Sequence, residues 1–177
     1  MIKTDIMLIP LDSTDRNQFI LDNQEAFRFG SLEEFGMRNK HFEEDGEIIS
    51  RRSIEIAINK SKGETYRIIY KGEKVGGVVL SINRDENKGT LQLLFVSPQH
   101  HSKGIGYAAW CAVERMHPEI QLWETFTPYF ETRNIHFYVN RCGFKIVEYF
   151  NNLHPLPEVH RGHMSDKGDF RFEKRME

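Results

Sequence analysis

Cysteine is nearly absent: only Cys111 and Cys142 occur in 177 residues. They form no Cys-x-x-Cys pair, so neither a disulfide framework nor a zinc ribbon is indicated. No apolar run approaches the roughly 20 residues that a membrane-spanning helix needs. The opening Met1-Ile2-Lys3-Thr4-Asp5 also lacks the charged-then-apolar layout of a secretory signal. Charge of one sign is missing too. Lys and Arg number 24 against 26 Asp and Glu, a formal net charge of −2, so no global basic field exists to attract nucleic acid. There is no internal repeat, low-complexity tract or linker composition. These absences predict a reduced, soluble, cytoplasmic protein of one domain, 1–177, without metal, membrane or nucleic-acid partner.

Aromatic residues are plentiful: 13 Phe, 6 Tyr and 2 Trp make up 12% of the chain. That ring surface suits a packed interior with a pocket and argues against disorder. Ile2 to Leu11 reads as a strand. Asp12-Ser13-Thr14-Asp15 then signals a helix start, followed by Phe19, Ile20, Ala26 and Phe27 at helical spacing. Ile48 to Ile58 reads as a second helix, although its isoleucines leave a strand open. Thr65 to Tyr70, Val75 to Ile82 and Leu91 to Val96, joined by short Gly-containing turns, predict an antiparallel meander. A helical face follows at Ile105, Ala108, Ala109, Ala112, Val113 and Met116, ending before Pro118. Ile120 to Phe126 is the next strand, and a strand–helix–strand connection sets it parallel to Leu91–Val96. Glu131 to Cys142 reads as a short helix with Gly143 as its left-handed exit. Phe144 to Phe150 and Phe170 to Met176 read as closing strands around a long loop. The whole is one α+β domain.

Chemistry concentrates in Leu91-Gln-Leu-Leu-Phe-Val-Ser-Pro-Gln-His-His-Ser-Lys-Gly-Ile-Gly106, where a strand enters a loop and a helix opens on glycines. First-turn amides of a helix lack internal partners and carry partial positive charge, and glycines let phosphates approach them. Lys103 adds local positive charge. A sharp strand–helix turn that binds nothing is the plain alternative, and Gly-x-Gly alone does not choose. Gly104-Ile-Gly106-Tyr-Ala-Ala109, with Glu124 20 positions after Gly104, also fits the dinucleotide fingerprint. The seven residues Ser97 to Lys103 before the first glycine, and the hairpins upstream, count against it.

Val96-Ser-Pro-Gln-His-His-Ser-Lys-Gly-Ile-Gly106 resembles the acyl-CoA signature of the GNAT N-acetyltransferases: an apolar strand, a proline, then Gln/Arg-x-x-Gly-x-Gly/Ala. Phe137-Tyr138-Val-Asn-Arg-Cys-Gly143-Phe144 resembles that family's second motif, a late helix running into Gly-Phe. The resemblance implies a mixed seven-strand sheet flanked by helices, with a central strand–helix–strand acyl-CoA unit. It implies an acetyl-CoA-dependent N-acetyltransferase acting on a small-molecule or peptide amine by direct attack, with a homodimer left open. The backbone near Leu94, Phe95 and Val96 would hold pantetheine. His101, Ser102, Lys103, Gly104, Ile105, Gly106 and Tyr107 would hold the pyrophosphate, and Asn134 would touch the arm or the nucleophile.

Two positions depart from the family pattern. His101 replaces the usual Gln or Arg. The family's general-acid Tyr falls on Val139, so Tyr138 serves only if the helix end is overwound or bulged. Some members carry a strand glutamate where this chain has Thr90, and Glu124 is the candidate replacement base, with an ordinary ion pair as its competing role. A non-catalytic acyl-CoA-binding regulator is the alternative function. His154, His160, His163 and Asp166 match no metal spacing. The Glu43–Glu47 charges suggest either a cation-favouring groove or a solvated loop. Trp110, Trp123, Cys111 and Cys142 read as packing residues, and His136 as a solvent-facing or satisfied one.

Overall fold

A computed structural model describes residues 5–35, 45–158 and 168–177. The meander is present: β1 (Ile6–Pro10), β2 (Gly63–Tyr70), β3 (Glu73–Asn83) and β4 (Lys88–Val96) pair antiparallel in that order. The β2–β3 hairpin closes on Lys71 and Gly72, both at positive φ (50° and 80°), the backbone a tight two-residue hairpin requires. After β4 come α3 (Ile105–Met116) and β5 (Leu122–Pro128), which lies parallel to β4. A crossover helix between adjacent strands imposes that direction. β7 (Asp169–Arg175) then inserts between β5 and β6 (Lys145–Phe150), giving the mixed seven-strand order β1-β2-β3-β4-β5-β7-β6. No helix among the described residues is long and apolar enough to cross a membrane.

α1 (Arg16–Phe35) and α2 (Arg51–Asn59) cover one face of the sheet, over β2, β3 and β4. The second segment is a helix: Ser50 accepts from the Ser53 amide as its cap, and Ile54 and Ala57 turn inward. α3 covers the other face, where Trp110 packs edge-on to Trp123 at 5.1 Å and Phe144 and Phe172 are buried. α1 is drawn onto the sheet by charge and shape together. Arg67 of β2 is 1% exposed, with its guanidinium 2.7 Å from Asp15 and 2.8 Å from Asp22. A Cβ on Gly77 would stand 2.2 Å from the Phe19 ring, so glycine allows that close approach.

The expected late helix is divided. α4 spans only Thr132–His136, and Phe137–Arg141 forms a π-helical turn. Strand bounds also move: β5 runs two residues further than the pattern indicated, and the last strand ends at Arg175.

Candidate active site

β4 and β5 pair over four residues, from Lys88 opposite Leu122 to Leu91 opposite Thr125. At that point the Thr125 hydroxyl donates to the Leu91 carbonyl at 2.9 Å. Gln92 is bulged, since Leu80 and Val79 of β3 face Leu91 and Leu93 with Gln92 between them. A bulge disturbs the ladder and turns the strand, and beyond it β4 and β5 separate. β4 stays bonded to β3 through Val96, but no described strand pairs with its other rim past Leu91. That rim opens on a cleft of about 280 Å³ lined by Leu94, Phe95 and Val96.

The α3 end of the cleft is built by backbone. Ser102 (φ 64°) and Gly104 (φ 73°) are both left-handed, a conformation that turns successive amides to one side. The first helical bond runs from the Ala108 amide to the Gly104 carbonyl. The amides of Ile105, Gly106 and Tyr107 therefore precede the helical ladder, and these residues, with Ser102 and Gly104, line the cleft.

His101 also lines it, but its Nε2 donates to the Val96 carbonyl at 2.7 Å and its ring meets Phe29 edge-on. The side chain thus braces the loop against the end of β4. Lys103 is exposed and is not among the residues that line the cleft.

The π-helical turn, marked by the Cys142 amide bonding the Phe137 carbonyl at 3.0 Å, decides where Tyr138 points. The extra residue rotates Tyr138 onto Phe144 and Phe172, each 5.8 Å away between ring centres, and into the cleft wall. Burial holds its hydroxyl above the ordinary tyrosine pKa, with Cys142 and Glu131 adding to the effect. Asn134 lines the cleft, its Nδ2 donating to Glu131. Sequence reasoning missed Ala26, Phe27 and Gly30 of α1, His100, and Arg133 and Arg141. Only the arginines carried a readable signal, as cations bracketing a cleft-lining helix.

Glu124 lies outside the cleft lining. It is 2% exposed, on the α1–α2 face of β5, in register with Thr90. Its Oε2 is 3.0 Å from Lys88 and 3.3 Å from Arg171, while Oε1 is buried with no hydrogen-bond partner among the described residues. Glu124 therefore stands one strand over from Thr90 on the same face. Of the acidic loop, Asp45 accepts from the Arg51 amide and Glu47 pairs with Arg28. Glu43, Glu44, His160, His163 and Asp166 lie outside the described residues, among which no metal-binding cluster occurs. His154 stacks on Phe150 and contacts Glu148 at 2.8 Å, and His136 Nδ1 meets the Asn140 amide.

Comparisons agree with this architecture. YrkN, an uncharacterized protein of Bacillus subtilis (strain 168), is 44% identical over 153 residues, covering 86% of this chain and 80% of that one. The PaiA N-acetyltransferase of Thermoplasma acidophilum, solved with coenzyme A, superposes with a TM-score of 0.68 at 17% identity, covering 97% and 99% of the two chains. A GNAT family acetyltransferase of Elizabethkingia anophelis, solved with acetyl-CoA, gives 0.65 at 16% identity, covering 98% and 100%. Residues 24–144, which contain both the glycine turn and the π-helical turn, match the acetyltransferase (GNAT) family, and the chain belongs to that family.

Proposed function

We propose that the protein is an acetyl-CoA-dependent N-acetyltransferase acting on a primary amine by direct attack in a ternary complex. The observation that carries this reading is the parting of β4 and β5 beside the glycine turn of α3. One cleft thereby offers unpaired strand backbone and unpaired helix amides. Strand backbone suits the amides of a pantetheine arm, and first-turn amides suit a pyrophosphate. Residues 94–96 would hold the arm, the amides of residues 102–107 the pyrophosphate, and Asn134 Oδ1 the arm or the nucleophile. The coenzymes bound by the Thermoplasma and Elizabethkingia proteins support the same use of the cleft.

When bound, the thioester supplies an electrophilic carbonyl; the chain's own groups manage protons. Freeing an amine of pKa about 10.4 at pH 7 costs about 4.6 kcal/mol, so a base matters most. Glu124 is that base in our reading. Lys88 and Arg171 fix its Oε2 and leave Oε1 to accept. Tyr138, kept protonated by burial, gives its proton to the departing sulfur.

A non-catalytic acyl-CoA-binding module is the second reading, favoured by the place of Glu124 outside the cleft lining. Thiol release from acetyl-CoA across an amine panel separates the two. Transfer is expected, with Glu124→Gln and Tyr138→Phe each lowering kcat/KM by about 10²- to 10⁴-fold. Tight CoA binding without amine-dependent thiol release would establish the binding module instead.

A further inference from the structure

The sheet face that carries Glu124 has two halves. α1 and α2 lie over β2, β3 and β4, and Glu124 stands beside them on β5, opposite Thr90 of β4. The half over β5, β7 and β6 is charged and largely self-satisfied. Lys88 and Arg171 share Glu124 Oε2, Arg171 also meets Glu148 at 2.8 Å and Glu173 at 2.5 Å, and His154 meets Glu148.

Two groups at the border between the halves are left over. One is the buried Glu124 Oε1, which has no hydrogen-bond partner among the described residues. The other is Lys60, half-buried just past the end of α2. Its Nζ touches the neutral Gln92 Oε1 at 3.1 Å and, among the described residues, no carboxylate within 4.0 Å. Desolvation lowers its pKa, and Glu124 acts from a distance to raise it. Gln92 is the bulged residue beside the last β4–β5 pair. A cation short of an anion and an anion short of a donor therefore flank the point where the strands part.

We propose that Lys60 is the acceptor-specificity residue and that the acceptor is an α-amino acid or a similar amine with a neighbouring carboxylate. The amine faces Glu124 Oε1 and the carboxylate faces Lys60 Nζ. This assignment rests on the acetyltransferase reading. A zwitterion supplies both missing partners at once, whereas a polyamine would set a second ammonium against Lys60. The amine nitrogen forms the new C–N bond as the C–S bond breaks. Of the two protons an ammonium sheds, Glu124 takes one and passes it to solvent. Tyr138 gives its own proton to the sulfur and regains the second.

The test uses the full chain with acetyl-CoA and matched acceptors: methionine, methioninamide and 3-(methylthio)propylamine, the corresponding phenylalanine series, and spermidine. The carboxylate-bearing member of each series is expected to show a kcat/KM about 10- to 100-fold above its amide. Lys60→Met should bring that ratio near one, chiefly through KM for the amino acid, and Lys60→Arg should restore most of it. A preference for the amides or for spermidine, or an equal loss for all acceptors in Lys60→Met, would overturn the assignment. Calorimetric titration of the same acceptors into CoA-saturated protein separates it from the chemistry. Amino-acid binding that depends on Lys60, without turnover, keeps the subsite and rejects the transferase. Acetylation of amines without carboxylate preference keeps the transferase and rejects the subsite, and no amino-acid binding or turnover rejects the subsite as well.

Discussion

Asn23 occupies the buried stripe of α1 between Phe19 and Ala26, fully enclosed, with neither end of its carboxamide hydrogen-bonded among the described residues. A buried amide left unsatisfied costs about 1–3 kcal/mol, and an apolar group of similar shape avoids that cost. Asn23→Leu is expected to raise the unfolding free energy by about 1–2 kcal/mol, read as a shift of the denaturant midpoint at constant slope. Glu124 Oε1 is an orphan of another kind, because its partner oxygen is pinned by two cations. Removing that charge leaves Lys88 and Arg171 with one acceptor fewer, so the Gln variant should not gain stability in the same way. Both orphans lie beyond the reach of sequence pattern. Asn23 reads as an ordinary helix residue, and the isolation of Oε1 depends on Lys88 and Arg171 arriving from two other strands.

Among the elements, the turn into α3 is the most exposed to a single substitution. Gly104 sits at φ 73° as the cap of the helix, where a β-branched residue costs roughly 1–2 kcal/mol, a strain a domain of this size withstands. Gly104→Val should therefore stay folded by circular dichroism yet bind CoA at least about 100-fold more weakly by calorimetry. Unchanged affinity in the folded variant would remove the phosphate cradle. This turn was legible because its chemistry is local: apolar strand, proline, two glycines and helical periodicity lie within one short stretch. The π-helical turn was foreseeable only as a condition on Tyr138. Whether a helix end closes on i+4 or i+5 is settled by what its side chains pack against, here Phe144 and Phe172. The α1 wall of Ala26, Phe27 and Gly30 left no local trace, since small and aromatic residues on a helix face serve a core equally well.

At the scale of the whole molecule, α1 is fastened to the sheet through Arg67, and that fastening is pH-dependent. Arg67 holds the Asp15 carboxyl below the usual carboxylate range, with desolvation opposing and Lys74 helping. A lowered folded-state pKa contributes stability above the unfolded value, and that stability is lost as pH falls through the folded one. Unfolding should therefore become easier below about pH 4, and Asp15→Asn should flatten that limb. The same variant should cost about 3 kcal/mol at neutral pH, because among the described residues Arg67 then keeps only the Asp22 carboxylate for its buried charge. Denaturant titrations at several pH values check both statements. The parting of β4 and β5 has a consequence of its own. Strand backbone without a neighbour normally invites another chain to add itself and aggregate. In this protein the bare rim is enclosed between α1, α3 and the π-helical turn, and an incoming polypeptide strand would have to carry its side chains into that narrow space. The fold can thus keep a strand edge permanently open to small molecules while closing it to protein chains.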